Sequence, residues 1–234
     1  MFRFKQFTVD QTGCAMKINT DGVLLGAMAE ADEPESVLDI GTGTGVIALM
    51  LTQKFTKAKV DAVEIDADAG QTANGNFTNS PFTDRLRLFA TDFERYFQQN
   101  SGVKYDLIIS NPPFYTGSLK SPKAKKNVAK HTDIDFFEKL IKGVSAHLSP
   151  RGLFWIIVPL NIFGQVCGLA AGENLFLQKQ VNIQSFDHTE PHRVILCFGF
   201  EKVLTQTAIL TIYKAAGIYS DDYQKLLQPY FIAF

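Results

Sequence analysis

The segment Val37-Leu38-Asp39-Ile40-Gly41-Thr42-Gly43-Thr44-Gly45 runs from an apolar stretch through three alternating glycines into a second apolar run that begins at Val46. No other feature limits the fold as strongly. Glycine accepts tight and positive-φ turns and lets a ligand approach the main chain without meeting a Cβ, so the pattern reads as strand, ligand-holding turn and helix in succession. A nucleoside is the natural occupant. The dinucleotide fingerprint requires its third glycine at position 46, where this chain has Val46, so the spacing that cradles a pyrophosphate is not met. This argues against a nicotinamide oxidoreductase.

Around the turn, short β-rich runs alternate with helix-compatible segments, the order of a doubly wound α/β fold with crossover helices on both faces of a sheet. Strands are expected over 36–40, 60–65, 85–90, 105–110, 153–158, 181–186 and 194–200, and helices over 46–55, 67–77, 93–98, 134–148 and 160–169. The connection between the last two strands, 187–191, is too short for a parallel crossover and makes that pair antiparallel. The expected sheet is therefore seven-stranded and mostly parallel, with an antiparallel last strand. The 234 residues read as one domain, with an N-terminal segment 1–35, a core 36–202 and a C-terminal extension 203–234. The apolar, strand-like run 208–213 and the aromatic tail 230–234 are expected to pack onto that core.

Composition is 46% hydrophobic and 20% charged, with mean hydropathy +0.00, as in a soluble globular chain. The run 153–158 ends at Pro159 and is too short to cross a bilayer, and the N-terminus mixes charges with its aromatics as no secretory signal does. A cytoplasmic monomer without a membrane partner is expected. Cys14, Cys167 and Cys197 form no Cys-x-x-Cys pair, and the four histidines show no metal-ligand spacing, so no metal is expected. With a net charge of −1, nucleic acid could be held only by a local patch.

The spacing Asp39-Ile40-Gly41-Thr42-Gly43-Thr44-Gly45 resembles the first motif of the Rossmann-like class I methyltransferases. That resemblance implies S-adenosylmethionine as cofactor, held by Asp39, Gly41, Thr42, Gly43 and Gly45. Glu64, some twenty residues past the turn, offers two acceptor oxygens to a ribose diol, with Ile65 beside it. The other reading is that Glu64 or Asp66 caps the next helix. Asp92, followed by Phe93, resembles the family's acidic contact to the adenine amine, and reads equally well as a helix N-cap. Lys17-Ile18-Asn19-Thr20-Asp21-Gly22 looks like the N-terminal motif of amine-methylating families that closes over the methionine end of the cofactor. Thr20 and Asp21 are equally an ordinary capped helix start.

Ser110-Asn111-Pro112-Pro113-Phe114 follows the strand 105–110, at the carboxyl edge where open α/β sheets place ligands. Two prolines fix φ and stiffen the loop, so the Asn111 amide oxygen and the Pro112 carbonyl can aim at one point. An exocyclic ring amine has its lone pair delocalised. Two acceptors taking its N–H hydrogens would turn that lone pair towards an electrophilic methyl, with no strong base required. Phe114 can stack on a base. A rigid turn with an aromatic anchor is the plain alternative.

Taken with residues 7–11, 16–22, 129–131, 191–194 and the aromatic terminus, these motifs resemble the bacterial tRNA1(Val) (adenine-N6)-methyltransferases over nearly the full length. The resemblance implies tRNA as partner and adenine 37, beside the anticodon, as target. Lys120, Lys123, Lys125, Lys126 and Lys130 crowd the segment after the motif and could contact phosphates, or form a solvated loop. Arg193 could join them, or make a salt bridge at a strand end. Remaining rivals are release-factor glutamine-N5 methyltransferases, rRNA guanine-N2 methyltransferases and a non-catalytic RNA-binding module. The first group usually has Tyr in place of Phe114 and an N-terminal helical domain, for which the 35 residues before the glycine motif leave no room.

Overall fold

A computed structural model describes the backbone of residues 1–113 and 123–234, and the side chains of 1–113 and 134–234. The chain begins with a two-stranded ribbon, β1 (Phe2–Arg3) and β2 (Thr8–Val9), followed by helix α1 (Thr20–Met28). Alternation then proceeds through β3 (Ser36–Ile40), α2 (Val46–Lys54), β4 (Lys59–Glu64), α3 (Ala67–Thr78), β5 (Leu86–Ala90), α4 (Phe93–Gln99) and β6 (Tyr105–Ser110). Helix α5 (Lys123–His147) leads directly into β7 (Leu148–Pro159), and α6 (Phe163–Gly172) into the hairpin of β8 (Phe176–Gln184) and β9 (Arg193–Gly199). The chain closes with β10 (Gln206–Thr211), the small β11 (Tyr213–Ala215) and β12 (Ile218–Tyr219), and α7 (Asp221–Leu227).

The main sheet has the order β10-β8-β9-β7-β6-β3-β4-β5, with β9 antiparallel to both neighbours and every other pair parallel. The expected antiparallel strand is therefore present, inserted between β7 and β8. The sheet is eight-stranded rather than seven-stranded, because 206–211 joins β8 as an edge strand. Only Leu210 of β10 is buried, so its attachment is made mainly by main-chain hydrogen bonds, and the strand-like run 208–213 does not itself disclose that it joins the main sheet. Helix α5 starts at Lys123, eleven residues before the expected 134. Its first turns carry lysines and alanine, which favour helix without forming an apolar stripe, whereas Phe137 is the first buried residue among its described side chains.

Successive residues of each central strand enter opposite layers. Val37, Leu107, Ile109, Trp155 and Ile157 join the core shared with α1, α2 and α7, whereas Leu38, Ile40, Ile108, Phe154 and Ile156 join the core with α5 and α6. The same alternation sends Asp39 into the α2 layer. Helix α1 is capped by Asn19, whose Oδ1 accepts from Gly22 N–H at 2.9 Å, rather than by Thr20 or Asp21. Its C-terminal carbonyls Ala27 and Ala29 accept from the Lys54 ammonium at 2.9 and 2.7 Å, which fastens α1 to α2. Among the described residues no helix is long and apolar enough to cross a membrane.

Candidate active site

Ile40, the last residue of β3, stands opposite Val63 of β4 on one side and Ser110 of β6 on the other. The residues that follow these three in the chain are Gly41, Glu64 and Asn111. Three adjacent parallel strands, about 4.8 Å apart, deliver the turn, the carboxylate and the amide to one edge.

The glycine turn is held from several directions. Gly41 and Thr42 donate their N–H groups to the Val63 carbonyl at 2.9 and 3.1 Å, and Gly45 N–H closes the turn on the Thr42 carbonyl at 2.8 Å. Gly41, Gly43 and Gly45 have φ of +73°, +56° and +80°, a region costly for any residue with a Cβ. At Gly45 a Cβ would also lie 2.5 Å from Phe77 Cε1. Above Gly41 and Gly43 it would meet nothing within 4 Å. The turn is closed on its protein side and open on its outer side.

Glu64 is 8% exposed. Its Oε2 accepts from Gly43 N–H at 2.8 Å and its Oε1 from Asp66 N–H at 2.9 Å, which leaves one lone pair on each oxygen for two further donors. Helix α3 is capped by Asp66, which accepts from Ala69 N–H at 2.8 Å. Asp39 is fully buried, with Oδ2 accepting from the Thr42 hydroxyl at 2.6 Å and Oδ1 without a hydrogen-bond partner. Burial pushes its carboxyl up to about 7, the Thr42 hydrogen bond acting against this and the nearby Glu64 charge adding to it.

Asn111 is half-buried, Pro112 buried and Pro113 exposed, while Phe114 lies outside the described residues. A Cβ built on Gly22 would sit 3.5 Å from Asn111 Nδ2, so the start of α1 borders the amide. Thr20 is exposed at that helix start. Asp21, read from sequence as a cofactor contact or part of a capped helix start, and Arg193, read as a substrate contact or a strand-end salt bridge, meet in an ion pair of 2.8 Å. The pair ties α1 to the first residue of β9. Asp92 caps α4 by accepting from Arg95 N–H at 2.8 Å, and Phe93 packs edge-on against Phe97 and Phe136. Ile65, 75% exposed beside Glu64, is a large apolar side chain facing solvent. Lys120 lies outside the described residues. The backbones of Lys123, Lys125, Lys126 and Lys130 belong to the first turns of α5, and their side chains lie outside the described ones.

Sequence reasoning missed the groups that hold the turn from outside. Asn76 donates to the Thr44 carbonyl at 2.9 Å, and Phe77 closes on Gly45. Both lie about thirty residues further along the chain, and although the periodicity of α3 puts them on its buried face, nothing local says that this face meets the glycine turn. Among the described residues no group of three or more His, Cys, Asp or Glu side chains could hold a metal ion.

Residues 19–164 match the methyltransferase small domain family. Over its whole length the chain is 47% identical to a curated tRNA1(Val) (adenine(37)-N6)-methyltransferase of Pedobacter heparinus, of which it covers 98%. It is 41% identical, over 99% of its length and 97% of the relative's, to the protein of the same description in Bacteroides fragilis. Among solved structures, a predicted O-methyltransferase from Agrobacterium tumefaciens superposes with a TM-score of 0.70 over 90% of this chain and 96% of that one, at 16% identity. That likeness concerns the fold.

Proposed function

The chain belongs to the methyltransferase small domain family, and from that membership we propose that it transfers a methyl group from S-adenosylmethionine to the exocyclic N6 amine of adenine 37 in tRNA1(Val). The register that brings Gly41, Glu64 and Asn111 to one edge carries the reading. It puts the turn that we read as a nucleoside seat and the amide that we read as the amine acceptor at the ends of neighbouring strands. The printed description of the relatives, shared over nearly the full length, supports the choice of tRNA and of the adenine.

The residues present fit the cofactor. The open space over Gly41 and Gly43 admits a ligand against the main chain, and Glu64 keeps two lone pairs for vicinal hydroxyls. Asp39, Thr42, Gly45, Ile65, Asp92 and Phe93 complete this side. S-adenosylmethionine, when bound, supplies an electrophilic methyl on a sulfonium. Asn111 Oδ1 and the Pro112 carbonyl accept the two amine hydrogens, which frees the nitrogen lone pair and points it at the methyl. The prolines spare the loop an ordering step at each turnover. The surplus proton of the alkylated amine is acidic enough to leave to solvent. Phe114 stacks on the base, and the lysines between 120 and 130 take the flanking phosphates.

The reading also treats residues 1–234 as one domain, supported by the Phe4 to Phe231 bridge and the Lys5 ammonium, which donates to the carbonyls of Gln228 and Phe234. The test is incubation with labelled cofactor and, separately, tRNA1(Val), rRNA and release factor, followed by identification of the methylated product. N6-methyladenine at position 37 is expected. Label in guanine-N2 or in a glutamine amide would overturn the substrate assignment, and no label in any arm would overturn the activity.

A further inference from the structure

The strap of residues 8–19 runs between the two halves of the site, and of the side chains that fasten it to α3 one also reaches the glycine turn. Asn76 of α3 is 4% exposed and uses its whole amide. Its Oδ1 accepts from Asp10 N–H at 2.8 Å, while Nδ2 donates to the Asp10 carbonyl and to the Thr44 carbonyl, both at 2.9 Å. Thr44 is part of the glycine turn. A single amide therefore joins the strap to the turn. From Asp10 the strap runs on through a second tie to α3, the Thr12 carbonyl accepting from the Thr72 hydroxyl, and through an internal bond, Gln11 Oε1 accepting from Ile18 N–H at 2.8 Å. It ends at Asn19, the cap of α1, whose partner Gly22 borders Asn111.

Asparagine is a poor helix former, and its buried amide needs every bond it makes. An apolar residue would serve the packing of α3 as well. What requires an amide there is the pair of main-chain carbonyls it joins, one from the strap and one from the turn.

We propose that Asn76 is a positioning residue that fixes the glycine turn and the start of α1 as one unit, so that the cofactor seat and the amine pocket share one geometry. This rests on reading the turn as the cofactor seat. Gln11, which braces the strap without touching the turn, then influences the seat at a distance.

The test uses the full chain carrying Asn76→Ala, Gln11→Ala, Gln11→Glu and, as a control, Asn74→Gly, which weakens α3 at an exposed position. Two quantities are read: KM for S-adenosylmethionine, and the rate of native trypsin cleavage after the exposed Lys17 without cofactor. Asn76→Ala and Gln11→Ala are expected to raise KM about tenfold, the equivalent of one buried hydrogen bond, and to speed the cleavage. Gln11→Glu keeps the acceptor and restores both. Asn74→Gly lowers Tm and moves neither. Should Asn76→Ala fail to fold, the Gln11 pair still decides. Wild-type KM and cleavage in Gln11→Ala would overturn the proposal, as would both effects in Asn74→Gly. A wild-type protein that does not bind the cofactor would overturn the reading of the seat alone, and the cleavage rates would still decide whether the strap is latched.

Discussion

The glycine turn and the Asn111 motif leave the same sheet edge one strand apart, yet each is made rigid by a different means. The turn is held by hydrogen bonds from outside itself: Val63 and Glu64 on β4 and Asn76 on α3, with Phe77 behind Gly45. The Asn111 motif is stiffened from within, by two pyrrolidine rings that fix φ and remove two donors. Damage to the turn should therefore be read in stability and cofactor affinity. Damage to the motif should be read in turnover.

The largest effect expected on the turn side comes from Asp39. Its folded-state carboxyl titrates at about 7 against 3.8 when unfolded, so the neutral form is favoured in the fold. Stability from this group is complete below about pH 4 and declines as pH rises towards 7, by on the order of 4 kcal/mol. Asp39→Asn holds a neutral side chain of the same shape and removes the decline. Denaturation of the cofactor-free protein at pH 5 and pH 8 measures it. Parallel pH profiles for variant and wild type would contradict the assignment.

On the motif side the next largest effect is confined to chemistry. Asn111→Ala is expected to lower kcat by about 10²-fold, roughly 2.7 kcal/mol, with cofactor Kd and Tm close to wild type. A turnover near wild type removes the role given to the amide, and a large fall in Tm would erase the contrast between the two regions. Gly45→Ala is the converse. The added Cβ meets both a left-handed φ of +80° and the Phe77 ring, at a cost of about 2 kcal/mol of stability. A melt checks it, and an unchanged Tm would show that Phe77 can yield.

The same contrast sets how much could be read from sequence. The turn and the motif are contiguous, so glycine spacing and consecutive prolines disclose them. The parts supplied from elsewhere stay hidden. Helical spacing puts Asn76 on the face of Ala69, Ala73 and Phe77, away from the exposed Asn74, but only the fold sets it over Thr44. The Asp21–Arg193 pair joins residues 172 positions apart, each of which has a plausible separate role when read alone. In β10 a strand-like run is legible, but its pairing with β8, which makes it part of the sheet, is not.

The smallest effect concerns the substrate side, where charge rather than geometry is at stake. Lys123, Lys126 and Lys130 are spaced i, i+3 and i+7 along α5, the spacing of one helix face, in a chain whose net charge is only −1. A face of that kind acts on phosphates at a distance and loses strength as salt rises. Each phosphate contact with a single strand contributes about 0.7 to the slope of log K against log salt, so replacing all three by Gln should lower that slope by about 2. Cofactor affinity and Tm should stay at wild-type values, because neither the turn nor the proline loop is altered. Binding of tRNA measured between 50 and 200 mM salt, roughly the range over which such contacts weaken most, decides the matter. A slope unchanged in the triple variant would move RNA recognition away from α5 and leave the proline motif to select its base without electrostatic help from that helix.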